Sequence, residues 1–127
     1  MSLLLDTHTL MWWVWDDLRL SRRAHAAIAE ADEVFVSSVS AFEIATKHRI
    51  GKLPNAGDLA LDFSGSVEAE GFVELPVTWR DAGYAGRVTH PHKDPFDRML
   101  IAQGVMNGLV LVSNEKIFDD FGVSRLW

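Results

Sequence analysis

The sequence predicts a single α/β domain, residues 1–127, with a mainly parallel β-sheet that is covered by helices. Its 127 residues are the length of one domain, and 48% of them are hydrophobic, as in an ordinary globular protein. Short apolar runs of strand character alternate along the chain with longer helical stretches. Parallel strands need a crossover connection, so this alternation indicates βαβ units with helices on both faces of the sheet.

The N-terminal half contains two predicted strands and four predicted helices. Ser2–Leu5 is a short apolar run that stops at Asp6, which is typical of a buried strand. Ser21 is a favourable N-cap for one helix, Gly51 follows the last residue of another, and Gly65 weakens a third. The predicted elements are strands Ser2–Leu5 and Val34–Val36 and helices Thr7–Trp15, Arg22–Ala31, Ser40–Ile50 and Leu59–Ala69.

The C-terminal half continues the alternation. Thr78 is a typical N-cap, and Asp94 precedes a proline at the first position of a long helix, which Gly108 ends. The predicted elements are strands Phe72–Leu75, Leu109–Val112 and Val123–Leu126 and helices Thr78–Ala85, Pro95–Asn107 and Lys116–Phe121. In folds of this class ligands bind beyond the carboxyl ends of the strands, so we expect the functional residues there.

The composition excludes several classes of protein. The chain has no cysteine, which excludes disulfide frameworks, thiol catalysis and cysteine-ligated zinc. The longest apolar run, Leu10–Trp15, is far shorter than the roughly 20 residues of a membrane span. No basic stretch precedes the first apolar residues, so we expect no signal peptide and a cytoplasmic location. The net charge of −6 is unlike that of a general nucleic-acid binder, so nucleic acid would need a local basic rim or acids neutralised by a cation.

Five carboxylates are candidates for a shared site at the carboxyl edge of the sheet. Asp6 directly follows the first strand, and Glu115 follows the fourth strand. Glu43 lies in the first turn of the helix after the second strand. Asp94 and Asp97 are three residues apart at the start of the long helix, so both can face one side of it. If the first, second and fourth strands are neighbours, these carboxylates converge.

A cluster of this kind needs a cation, because neighbouring carboxylates raise each other's pKa. Mg²⁺ takes oxygen ligands, keeps several waters, and is held by a few carboxylates together with substrate phosphate. A metal ion bound in this way polarises a phosphoryl oxygen and lowers the pKa of a bound water. The carboxylates therefore predict hydrolysis of a phosphodiester with Mg²⁺ as cofactor.

Four of the five acids also have a structural interpretation, whereas Asp6 is the hardest to explain in this way because it directly ends an apolar strand. Ser40 and Glu43 have the spacing of a capping box, and Asp94 is a natural N-cap before a proline. Asp97 fits a solvated helix charge, and Glu115 fits a turn residue. A zinc site at His90 and His92 is disfavoured, because no third ligand stands at a recognisable spacing.

Four segments in this order resemble the PIN-domain family, and most closely the VapC-type toxins of bacterial toxin–antitoxin pairs. The segments are Leu3–His8, Ser37–Ile44, Asp94–Gln103 and Leu111–Glu115. The resemblance covers essentially the whole chain. It implies a three-layer α/β/α sandwich, a Mg²⁺- or Mn²⁺-dependent endoribonuclease, a cognate antitoxin as partner, and a homodimer.

The resemblance also implies roles for single residues. Asp6, Glu43 and Asp97 match the first three acids of the family. Ser113 and Glu115 match its Thr/Ser-x-Asp segment, with Glu115 standing where Asp is commoner. The residues predicted to be catalytic are Asp6, Glu43, Asp94, Asp97 and Glu115, and all of these except Asp94, which matches an extra acid of one subgroup, are predicted metal ligands.

Substrate contacts are predicted near the acids. Arg98 adjoins Asp97, His8 lies close to Asp6, and Ser113 belongs to the matched Thr/Ser-x-Asp segment, so these three are candidates for contact with RNA. A structural role at the start of the helix is the other interpretation of His8. Basic residues on either side form a rim for phosphates in one interpretation and solvated helix faces in the other. They are Lys47, Arg49, Lys52, Arg87, Lys93 and Arg98.

The first predicted helix is too apolar for a surface helix. Trp12, Trp13 and Trp15 cannot all point the same way. Either one or more of them lie in a groove for a second copy or an antitoxin, where aromatic anchors concentrate, or the whole helix is buried.

Two other functions remain open. A Mg²⁺-dependent phosphatase with an aspartyl nucleophile requires Asp-x-Asp after the first strand, and the sequence Asp6-Thr7-His8 lacks the second acid. A catalytically degenerate PIN-like module would bind RNA or a partner without cutting. Glu115, which stands where the family more often has Asp, is compatible with this function. Cleavage of RNA distinguishes these functions from an endoribonuclease.

Overall fold

The computed structural model describes residues 1–127 and contains one five-stranded sheet. All four strand pairs are parallel, and the strand order is β3-β2-β1-β4-β5. The strands are β1 (Ser2–Leu5), β2 (Glu33–Ser37), β3 (Val73–Leu75), β4 (Val110–Val112) and β5 (Arg125–Leu126). The predicted α/β class and parallel sheet are confirmed.

Helices connect the strands. None of them combines the length and the apolar character that crossing a membrane requires. A 3₁₀ helix, Lys116–Phe121, joins β4 to β5. The α-helices are α1 (Thr7–Val14), α2 (Arg22–Glu30), α3 (Ser38–Arg49), α4 (Gly57–Leu61), α5 (Phe63–Ala69), α6 (Trp79–Arg87) and α7 (Pro95–Asn107).

Strand β1 occupies the centre of the sheet. Leu4 is in register with Phe35 of β2 and Leu111 of β4. The expectation that the first, second and fourth strands are neighbours is therefore confirmed. The carboxyl ends of these three strands, and the residues that follow them, meet at one edge.

The core has two parts, one on each face of the sheet. Leu3 and Leu5 contribute to a larger cluster with residues of α1 to α5, whereas Leu4 belongs to a second cluster with Leu100 and Ile101 of α7. This division follows from the alternation of side chains along a strand. Helices cover both faces, so the molecule has the predicted three α/β/α layers.

One predicted helix is interrupted. The stretch Leu59–Ala69 forms two short helices, α4 and α5, that meet at Asp62. The Asp62 backbone is not helical, and its side chain accepts a hydrogen bond of 3.1 Å from the Gly65 amide. An aspartate that caps a new helix competes with continuation of the old one, which explains the break.

Helix α3 begins two residues earlier than predicted. The Ser37 hydroxyl caps it by accepting from the Val39 amide, so Ser40 lies inside the helix. The capping box that the spacing of Ser40 and Glu43 indicates therefore does not form, and this structural interpretation of Glu43 is wrong. Both side chains are instead buried and face the functional edge of the sheet.

Candidate active site

Five carboxylates line one cavity of about 270 Å³ at the carboxyl edge of the sheet. The carboxylates belong to Asp6, Glu43, Asp94, Asp97 and Glu115, which are the predicted acids. The volume is sufficient for an ion with several waters, each of which takes about 30 Å³ in the liquid. The other lining residues are Thr7, His8, Lys47, His92 and Leu100.

Asp6 stands where β1 ends and α1 begins. Its Oδ1 accepts a 2.8 Å hydrogen bond from the Thr9 amide, so the carboxylate caps α1. The residue is 4% exposed. Burial raises the pKa of Asp6, and hydrogen bonds from the Ser113 hydroxyl and from Thr9 oppose this rise. The cost of ionising Asp6 in a buried position falls when a cation lies beside it.

Glu43 is held by two neighbours. The Thr7 hydroxyl donates to its Oε1 over 2.7 Å and also lies 3.0 Å from the Ser40 hydroxyl. Lys47, one helical turn further along α3, donates from Nζ to Oε2 over 2.5 Å. The contribution of Thr7 could not be predicted from the sequence, because it depends on how α1 packs beside α3. The i,i+4 spacing of Glu43 and Lys47 was a visible signal for their pairing.

Asp94 and Asp97 share the first turn of α7. The Asp94 Oδ1 accepts from the amides of Phe96 and Asp97, so its predicted role as N-cap is confirmed. The Asp97 Oδ2 lies 2.8 Å from Nε2 of His92. Burial raises the pKa of Asp97 to about 6; the His92 hydrogen bond opposes this shift, and the negative charges of Asp94 and Glu115 add to it.

The segment after β4 contributes Ser113 and Glu115. The Ser113 hydroxyl is buried, contacts Asp6 and accepts from the Glu115 amide over 3.0 Å. The Glu115 side chain is 40% exposed, and its Oε1 lies 3.9 Å from Nδ1 of His8. Glu115 therefore stands at the mouth of the cavity, whereas Asp6 and Glu43 lie deeper.

The carboxylates do not form a closed ligand set as they stand. No group of three or more His, Asp or Glu side chains converges tightly enough to hold an ion. Glu43 accepts a hydrogen bond from Lys47, and Asp97 is hydrogen-bonded to His92. The donors themselves fit Mg²⁺ or Mn²⁺, because both ions take carboxylate oxygens, and Mg²⁺ fills much of its coordination with water.

Arg98 has a structural role that the sequence did not reveal. Its guanidinium donates to the backbone carbonyls of four residues in α6 and the following loop. The carbonyls belong to Ala85, Val88, His90 and His92. Contact between Arg98 and RNA stays a prediction, but most of the donors of this side chain already have partners. Arg87 and Lys93 line a shallow groove next to the cavity, and His92 belongs to both.

Comparison with known proteins agrees with this architecture. The family model of the PIN domain matches residues 3–123. The chain is 29% identical over 115 residues to Ribonuclease VapC22 of Mycobacterium tuberculosis (strain ATCC 25618 / H37Rv), and the match covers 91% of this chain and 88% of that one.

Two solved structures share the fold. FitAcB from Neisseria gonorrhoeae superposes with a TM-score of 0.69 at 17% identity, and the match covers 100% of this chain and 97% of that one. A toxin–antitoxin complex from Klebsiella pneumoniae superposes with a TM-score of 0.65 at 13% identity, with coverage of 98% and 96%.

Proposed function

The chain belongs to the PIN domain family, and on this premise we propose that it is the endoribonuclease toxin of a toxin–antitoxin pair. The proposed reaction is hydrolysis of RNA phosphodiester bonds with Mg²⁺ or Mn²⁺ as cofactor, in the cytoplasm. The relative named as a ribonuclease supports the reaction. The fold shared with a toxin–antitoxin complex supports the biological setting.

One observation carries the proposal. Five carboxylates surround a single cavity, and burial raises the pKa of both Asp6 and Asp97. Burial makes an ionised carboxylate costly, so helix capping by Asp6 alone does not explain why both acids are buried in this cavity. Perturbed carboxylates gathered in one cleft are typical of a functional site.

The residues present would hold the ion through Asp6 and Asp97, with Glu43 and Glu115 completing the site or orienting the attacking water. A bound dication supplies charge neutralisation for the phosphate and lowers the pKa of water. The water adds to phosphorus opposite the 3′ oxygen and gives up one proton to Glu43 or Glu115; the P–O3′ bond breaks, and the 3′ oxygen takes up a proton from solvent. The products are a 5′-phosphate and a 3′-hydroxyl.

Other side chains keep the acids in place. The Thr7 hydroxyl fixes one oxygen of Glu43, His92 fixes one oxygen of Asp97, and Ser113 contacts Asp6. These contacts orient carboxylates that would otherwise move apart under mutual repulsion. Asp94 supports Asp97 by capping the helix that carries it.

The proposed partners are a cognate antitoxin and a second copy of this chain. A groove beside α1 and α2 is lined by Trp12, Trp13, Leu18 and Leu20, and Leu18 is 99% exposed. Trp12 is buried but Trp15 is 36% exposed, so the apolar N-terminal segment is not wholly enclosed. This groove offers aromatic and aliphatic anchors of the kind that protein interfaces use.

We expect the purified protein to cut single-stranded RNA in Mg²⁺ or Mn²⁺ and to lose this activity in EDTA. Asp6→Asn should reduce the cleavage rate at least about 100-fold, because loss of residues that only support metal ligands already costs up to that amount. Asp58→Asn is the matched control, since Asp58 is exposed on α4 and lies outside the cavity. Gel analysis of labelled RNA gives the rates.

Two results would favour the other functions. Release of phosphate from small esters without cleavage of RNA would indicate a phosphatase. Binding of Mn²⁺ with no cleavage of any RNA would indicate a binding module.

A separate prediction concerns Thr7. Thr7→Val keeps the shape of this buried side chain but removes the hydroxyl that donates to Glu43. We expect the cleavage rate to fall about tenfold, as for other residues that orient a ligand. The free energy of unfolding should fall by about 1–2 kcal/mol, because Glu43 and Ser40 each lose a partner. Thr46→Val on α3, the helix that carries Glu43, is the control, and equal effects of both variants would contradict the orienting role.

A further inference from the structure

Lys47 is the single lysine or arginine among the residues that line the acidic cavity. Its ammonium lies 2.5 Å from Glu43 Oε2, and its side chain is 34% exposed, whereas that of Glu43 is 9% exposed. The ammonium is therefore placed between the buried acids and the solvent. The other basic residues at this end of α3, including Arg49, make no contact with the acids.

The pairing with Lys47 leaves Glu43 no free oxygen in this arrangement. The Thr7 hydroxyl already donates to Oε1, so a dication that takes Glu43 as ligand competes with Lys47 for Oε2. A unit positive charge beside the acids also repels an incoming dication. The Lys47 ammonium thus supplies the positive charge that partly neutralises the acids of the cavity.

The lysine side chain has the reach to change partner. Its four-carbon stem is flexible, and its head is a compact charge that binds phosphate without a fixed orientation. When an ion neutralises the acids, the ammonium at the mouth of the cavity has lost its partner. An RNA phosphate that enters the cavity supplies the nearest new one.

We propose that Lys47 pairs with Glu43 in the ion-free protein and, once a dication is bound, is released to bind the RNA phosphate at the cleavage site. This inference rests on the proposed ribonuclease function for its second step only. The first step, competition between Lys47 and the metal for Glu43, is a property of the protein without RNA.

The experiment compares the wild-type protein with Lys47→Met, Lys47→Arg and the control Arg49→Met. Isothermal titration with Mn²⁺ at pH 8 should show that Lys47→Met binds the ion about 3–10-fold more tightly, because the competing charge is gone. The affinities of Lys47→Arg and Arg49→Met for Mn²⁺ should stay within about twofold of the wild-type affinity, because both variants keep a positive charge at position 47.

RNA cleavage supplies the second measurement. For Lys47→Met, KM should rise about tenfold, because one hydrogen bond between charged groups is lost, while kcat changes less than KM. The slope of log affinity against log salt should fall by about 0.7, the value for one phosphate contact on single-stranded nucleic acid. Lys47→Arg should restore most of the lost affinity, because it restores the charge.

The outcomes separate the two proposals. Unchanged or weaker Mn²⁺ binding by Lys47→Met overturns the competition, and an unchanged KM overturns the phosphate contact. If wild-type protein binds Mn²⁺ but cuts no RNA, the ribonuclease function fails while the competition is still decided by titration. If the wild-type protein binds no Mn²⁺, both proposals fail. Thermal melting checks folding, and if Lys47→Met is unfolded, Lys47→Gln replaces it.

Discussion

Asp97→Asn is expected to abolish RNA cleavage and, at neutral pH, to make the metal-free protein more stable. The two effects have one cause. The Asp97 side chain is only 20% exposed and lies near two other carboxylates, and its pKa is raised to about 6. An ionised carboxylate in this position costs stability until a cation binds, and asparagine keeps the shape without the charge.

The sign of the pH dependence follows from proton binding. Between the ordinary pKa of 3.8 and the folded value of about 6, the native state holds more protons at Asp97 than the unfolded state does. Stability from this group is therefore fully present below pH 3.8 and is lost as the pH rises to 6. Above pH 6 we expect Asp97→Asn to exceed wild type by about 1–2 kcal/mol, after allowance for partial solvent screening.

The measurements are thermal melting without metal at pH 4 and pH 7, and cleavage of labelled RNA. The melting temperature of Asp97→Asn should exceed that of wild type at pH 7, and the difference should shrink at pH 4. Cleavage should fall at least about 100-fold. Added Mg²⁺ should stabilise the wild type more than the variant, because binding to the native state raises its stability. A variant that melts lower than wild type at pH 7 would show that Asp97 is structural.

The features predicted correctly from the sequence are local in the chain. Asp6 ends an apolar strand, and Asp94 precedes a proline, so their positions at a strand end and a helix cap follow from neighbouring residues. The pairing of β1 with β2 follows from the tendency of sequential elements to pack together, whereas the place of β4 beside β1 does not, because β2 and β3 separate the two strands in the chain. Local rules therefore place single acids at strand and helix ends, and the pairing of β1 with β4 brings Glu115 to the same edge as Asp6.

The features that were missed depend on contacts between distant segments. The bond from Thr7 to Glu43 spans 36 residues and needs α1 packed against α3. The wrong capping box at Ser40 has the same origin, because burial beside Thr7 takes that hydroxyl away from the helix end. The break at Asp62 is the exception, because its cause is local: the Asp62 side chain caps a new helix at Gly65 and competes with a helical pattern that otherwise continues.

Arg98→Met is expected to produce the largest loss of stability among the variants considered. The guanidinium donates to four backbone carbonyls that join α6, the following loop and α7. Removing it leaves these partly buried carbonyls without their donor and loosens the loop that carries His92. We expect a loss of about 3 kcal/mol, because hydrogen bonds from charged groups each contribute about 1.5–3 kcal/mol and solvent replaces some of them.

Arg98→Lys should recover only part of this loss, because one ammonium cannot match the spread of a planar guanidinium. Chemical denaturation measures both variants, and Arg87→Met on α6 serves as a control that changes the same charge. Cleavage should fall as well, since His92 holds Asp97 and depends on the loop. If Arg98→Lys were as stable as wild type but bound RNA poorly, the guanidinium would be a substrate contact and the loop would be held by other interactions.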